Sequence, residues 1–136
     1  MATVTAAISI SSRDLHSNGI NISNSSVLTQ AGITTGITGS TGLASKTLTQ
    51  NTAFTLIDYS ADDVPSAGHE KVYIKNTSTS STQYVQVLLG SVEVGRLYGG
   101  DWLFMPVTVV DDMDIVATPE TDDIVVLEYT MFFEEA

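Results

Sequence analysis

In the stretch EKVYIKN, Val72 and Ile74 fall on one side of an extended chain and Tyr73 and Lys75 on the other. The same two-residue period runs through most of the chain from Ala53 onward. AFTLIDY places Phe54 and Leu56 together. QYVQVLLGSVEVGRLY holds two alternating runs around Gly90-Ser91, a two-residue loop with glycine at its first central position, which predicts a β-hairpin. That register sets Leu89 against Val92, Val87 against Val94 and Val85 against Arg96, so one face is nearly all aliphatic. On the other face Leu88 meets Glu93 and Tyr84 meets Leu97. Gly95 opposes Gln86, where a missing side chain lets another element approach. DWLFMPV reads as a strand ended or edged by Pro106, with Trp102, Phe104 and Pro106 on one face and Leu103 and Met105 on the other. VVDDMDIVATP gives a turn and a short strand. DDIVVLEYTMFF is apolar on both faces, as expected of a central strand covered on both sides or of a strand at a subunit contact. Helical periodicity is nearly absent, and many short strands with frequent turn signals predict an all-β fold, a β-sandwich or jelly roll.

The first fifty residues read differently. ATVTAAISISS alternates, with Val4, Ile8 and Ile10 available to one face, and GINISNSSVLTQ repeats the pattern with Ile20 and Ile22. Gly32, Gly36, Gly39 and Gly42 then follow at short intervals. Few aromatic groups are present, so the segment has little to bury against itself. Residues 1–50 are therefore expected to form an extended N-terminal arm with short strands, ordered by its neighbours, and residues 51–136 the β-sandwich domain. Recurring Ile and Val at strand spacing distinguish the segment from a flexible Gly/Ser/Thr linker.

Charge narrows the function classes. The chain has 136 residues, a net charge of −11, only five Lys and Arg, and 15% charged residues. Phosphate contacts need basic groups, so nucleic acid is an unsuitable partner, as is an anionic membrane surface. There is no cysteine, hence no disulfide framework or thiol chemistry. No signal-peptide pattern and no bilayer-spanning apolar run is expected. STGLASKT superficially matches a phosphate-binding loop, but Ser40 and Ser45 stand where that motif needs glycine. Asp111, Asp112 and Asp114, followed by Asp122 and Asp123, offer carboxylates to a hard cation. They lack EF-hand spacing and read as solvated turn residues. His16 and His69 are isolated, and Asp14, His16 and Ser17 have no oxyanion hole beside them. The sequence thus predicts no enzyme, no cofactor and no metal. The densest stretch, GRLYGGDWLFMP, reads as a corner. Gly99-Gly100 turns the chain, Asp101 accepts a turn hydrogen bond, and the large apolar groups anchor a core or an interface. Tyr98, Trp102 and Phe104, with Tyr129, Met131 and Phe133 from the final run, are the candidate interface residues. Trp102 beside carboxylates also suits a carbohydrate platform.

KVYIKNTSTSSTQYVQV, then LGSVEVGRLYGGDWLFMPV and LEYTMFFE, is similar to small virion structural proteins of tailed phages, especially those of marine cyanobacteria. The arm ISSRDLHSNGINISNSSVLTQAGITTGITGSTGLA also resembles the N-terminal region of such proteins. Val107 stands where some of them carry a second Trp. The resemblance implies a non-enzymatic virion protein made in the host cytoplasm. Its first implied role is a capsid decoration (cement) protein on the capsid surface, with itself, as a homotrimer, and the major capsid protein as partners. A tail, baseplate or fibre component comes second, and a carbohydrate-binding adsorption module third.

Overall fold

The structure, a computed structural model, describes residues 4–15, 17–27, 37, 39–49, 52–57, 70–107, 115–119 and 124–133. These residues form eleven strands: β1 (Thr5–Ser12), β2 (Ile20–Val27), β3 (Gly39–Ser40), β4 (Ala44–Leu48), β5 (Phe54–Ile57), β6 (Glu70–Asn76), β7 (Tyr84–Leu89), β8 (Val92–Tyr98), β9 (Trp102–Val107), β10 (Ile115–Pro119) and β11 (Val125–Phe133). All pairings are antiparallel. One sheet runs β5-β10-β7-β8, and the other runs β3-β11-β6-β9 with β4 also on β11. The fold is all-β and β-sandwich-like, as the alternation predicts.

The two sheets share one core. Leu56, Val85, Val87, Leu97 and Ala117 of the first sheet pack with Leu48, Val72, Ile74, Val125, Leu127 and Met131 of the second. Strand β6 alternates buried and half-buried along its whole length, because Val72 and Ile74 point into this core and Tyr73 and Lys75 point out of it. Ile74, Val85 and Leu127 are fully buried, and each side chain so placed contributes about 1.5–3 kcal/mol.

The β7–β8 hairpin departs from the register expected of it. Gly90 has φ +61° and opens the turn, with Leu89 against Val92 and Leu88 against Glu93, as alternation requires. The register then shifts by one residue, so Val87 pairs with Gly95, Gln86 with Arg96, Val85 with Leu97 and Tyr84 with Tyr98. Val94 is the extra residue of a β-bulge. The physical reason is the identity of residues 96 and 97. A regular ladder would set Arg96 beside the buried Val85, whereas the bulge places Leu97 there, 7% exposed, and leaves Arg96 in solvent. Arg96 then bonds Glu93 at 2.8 Å and lies 4.8 Å over the Tyr84 ring. Among the described residues no atom comes within 4 Å of a Cβ built on Gly95, so they do not make the close approach expected there.

The boundary at residue 50 also falls elsewhere. Ala44–Leu48 pairs with Tyr129–Val125, and Gly39–Ser40 with Phe133–Phe132. The Thr41 N–H donates to the Met131 carbonyl at 3.0 Å, and the Met131 N–H to Thr41 Oγ1 at 3.0 Å. Leu48 and Ile37 are buried. Residues 39–48 are therefore part of the sandwich, and only β1 and β2 form a separate two-stranded ribbon. Two proposed interface residues move inward for the same reason: Met131 is fully buried and Phe133 is 9% exposed, both in the core. Tyr129 packs against that core and against Phe54, with ring centroids 6.0 Å apart.

The GRLYGGDWLFMP corner is held from below by Asn76, which has no exposed surface. Its Nδ2 donates to the Leu97 carbonyl at 3.0 Å, and its Oδ1 accepts from the Ser78 N–H at 3.0 Å. Its backbone carbonyl accepts from Gly100 N–H and its own N–H donates to the Asp101 carbonyl, each at 2.9 Å. The turn is closed by Asp101 N–H to the Tyr98 carbonyl at 2.9 Å, with Gly100 at φ +90°. Asp101 Oδ2 accepts from the Tyr98 N–H at 3.0 Å, which is the turn hydrogen bond its position predicts.

Candidate functional site

Strand β9 lies at the edge of its sheet, paired to β6 with Trp102 opposite Lys75, Phe104 opposite Tyr73 and Pro106 opposite Lys71. Pro106 suits that place, since an edge strand does not need its missing N–H. Leu103 and Met105 pack on the core. Trp102 and Phe104 therefore face away from it, and Trp102 is 47% exposed. The indole is not the core anchor that its size suggests. It forms part of an outer face shared with Tyr73, Lys75, Glu128 and Phe132.

This face is the floor of a groove of about 1010 Å³, whose opposite wall is the base of the ribbon, including Ala6, Ile8 and Asn24–Ser26. The floor is largely aromatic, and the wall mixes small polar residues with the apolar Val4, Ala6, Ala7 and Ile8. The Tyr73 hydroxyl donates to Glu128 Oε1 at 3.2 Å, which fixes the carboxylate on the floor. Lys75 makes no ion pair among the described residues. Among the described residues Lys75 and Glu128 are the charged groups that line the groove, and their charges balance within a chain of net charge −11.

Burial raises the Tyr73 phenol above its ordinary ionisation range, and the hydrogen bond to Glu128 and that group's negative charge push it the same way. The neutral phenol is thus favoured in the folded chain. The stability it contributes is present below the ordinary phenol pKa of 10.0 and is lost as pH rises through the raised value. Tyr73→Phe is expected to make melting temperature fall less steeply in that alkaline window than in the wild type. Thermal melts across the window check this; identical slopes would show that Tyr73 does not titrate with folding.

Of the remaining residues singled out by sequence, Tyr98 is 39% exposed on the other sheet, its ring centroid 5.1 Å from that of Tyr84. The structure thus brings Trp102 and Phe104 together and leaves Tyr98, Tyr129, Met131 and Phe133 elsewhere. Asp111, Asp112, Asp114, Asp122, Asp123, His16 and His69 lie outside the described residues. Among the described residues no group of three metal-ligating side chains converges. Sequence reasoning missed Tyr73, Lys75 and Glu128 as neighbours of Trp102; the outward phase of Tyr73 and Lys75 was the available signal.

Comparison with protein families, with curated proteins and with solved structures finds no match to this chain.

Proposed function

We propose that the protein is a non-enzymatic structural component of a bacteriophage particle, a capsid decoration protein bound to the outside of the head shell. The observation that carries this reading is the β1–β2 ribbon. In its register Ile10 meets Ile22, and Ile8 and Ile20 lie on the same face. Ile8, Ile10 and Ile22 are 36%, 48% and 42% exposed. A two-stranded hairpin is marginal in water on its own, and this one leaves its aliphatic face uncovered by the described residues of its own chain. Such an element gains stability from what it lies against, which suits a chain that works inside an assembly.

Charge supports the same reading. Neither strand of the ribbon carries a charged residue, in a chain of net charge −11. Interface centres are depleted of charge in this way, while an acidic remainder keeps a shell protein off nucleic acid and anionic envelopes. The resemblance of KVYIKNTSTSSTQYVQV and GRLYGGDWLFMPV to virion proteins supports a phage particle as that assembly, with further copies of this chain, as a homotrimer, and the major capsid protein as the proposed partners.

The test uses particles that lack this protein. Full-length chain and a chain beginning at Gly36, which omits the ribbon, are each added back and their occupancy measured. Full-length protein is expected to fill the shell at a copy number matching its lattice positions, and the shortened chain to bind far more weakly. Equal occupancy would remove the ribbon from the argument. A copy number of a few per particle, or labelling confined to the tail, would overturn the head assignment in favour of a tail or baseplate part.

A further inference from the structure

We propose that the groove between the ribbon and the outer sheet face is a binding site for a neutral hexose oligosaccharide, with the Trp102 indole as its platform. This goes beyond the structural role above and does not depend on where in a particle the protein sits. The exposed indole is the first observation. Trp102 is on a strand locked in register against β6, so its ring is presented by a rigid element rather than a loop. The alternation that sets Leu103 and Met105 on the core turns the indole outward, where it is 47% exposed beside Phe104. A sugar ring offers a matching surface, a patch of C–H groups that stacks on an aromatic face while its hydroxyls remain at the rim.

The second observation is the distribution of hydrogen-bonding groups. Tyr73 holds Glu128 through Oε1, and Oε2 of that carboxylate has no partner among the described residues, so it is available to accept from a hydroxyl pair. Lys75, directly across from Trp102, supplies a donor. The facing wall adds the polar side chains of Asn24 and Ser26, which share one face of β2 with Ile8 across the ladder. An apolar floor with a few convergent polar groups is the composition of small-ligand sites. A purely apolar partner would leave those groups without partners at a cost.

Charge and size then select the ligand class. Lys75 and Glu128 balance, and the chain around them is strongly acidic, so a polyanionic glycan is repelled and a neutral one is not. A groove of about 1010 Å³ exceeds what one monosaccharide fills, hence an oligosaccharide.

Trp102 is the only tryptophan in the chain, so its fluorescence reports this groove and nothing else. Full-length protein is titrated with maltotriose, cellotriose, chitotriose and mannotriose. At least one is expected to shift the emission to shorter wavelength and saturate with a Kd of about 1 mM or tighter. Glu128→Gln is expected to weaken that binding roughly tenfold at an unchanged melting temperature. By calorimetry Trp102→Ala should abolish it, while Trp102→Phe retains part of it. No saturable shift with any of the four sugars overturns the proposal. So does a shift that follows protein concentration without sugar, which would mean that a second copy occupies the groove. Binding that survives both Trp102→Ala and Glu128→Gln would place the sugar elsewhere and also overturn it.

Discussion

A chain that begins at Thr49 should fail to fold, whereas one that begins at Gly36 should melt cooperatively within a few degrees of the full-length protein. The two cuts differ by only the segment that holds β3 and β4. Removing it strips five consecutive pairings from β11, Val125↔Leu48 to Tyr129↔Ala44. It also deletes Leu48, which is 1% exposed in the core, and the buried Ile37. Loss of a buried leucine alone costs about 2–5 kcal/mol, and each ladder bond lost adds about 1 kcal/mol. The sum approaches the whole stability of a domain this size, about 5–15 kcal/mol. The uncovered β11 edge would further invite pairing with other chains. The earlier cut removes the ribbon, whose side chains are mostly exposed, and takes almost nothing from the core. Circular dichroism melts of both chains decide the matter; two similar melting curves would show that β3 and β4 contribute little.

Gly99→Val is expected to cost about 3 kcal/mol or more, well above Gly100→Ala. The two neighbours look alike in sequence and act by different physics. Gly99 needs to be bare: a Cβ built there runs into the Ser80 carbonyl oxygen and lies 2.9 Å from that of Ser78. Both are backbone atoms in the segment anchored by Asn76, so no side-chain rotation relieves the clash. Gly100 instead needs a conformation. At φ +90° it has open space around it, and alanine costs only the left-handed penalty of about 1–2 kcal/mol. Urea denaturation of the two variants should rank Gly99→Val as the worse. The reverse order would mean that the β6–β7 connection yields to make room.

Much of the sandwich was legible because its signals agree. In β6 the alternation alone separates Val72 and Ile74 from Tyr73 and Lys75, and at Gly90 the turn chemistry fixes where β7 meets β8. What escaped is where one extra residue or a short edge changes the phase. Val94 bulges without leaving a mark on the pattern, except that an unbroken ladder sets Arg96 on an aliphatic face. That conflict was the sign of a register shift. Strands β3 and β4 are polar because one side of them meets water. Only Leu48 is buried in β4, so composition assigned them to an arm. The groove was half legible. Trp102–Phe104 and Leu103–Met105 are equally apolar, and the sequence alone does not say which pair faces the core. The pairing with β6 decides it, since Trp102 shares a face with Lys75 and Leu103 with Ile74.

The place of β11 sets a limit on when this protein can become itself. It pairs with β6, β4 and β3 at once, and Phe133 meets Gly39 from the far side of the sandwich sequence. Until β11 leaves the ribosome, β4 has no neighbour to bond and one side of β6 stays bare. Contacts so distant along the chain make folding slow, in the range of milliseconds to seconds for β-rich domains. Leu48 therefore lacks its strand partner, and Val72 and Ile74 their full cover, until β11 is made, in the company of many identical nascent chains wherever the message is heavily translated. The dense negative charge then has a use before any particle exists: it holds half-made copies apart during the interval in which their future core is still exposed.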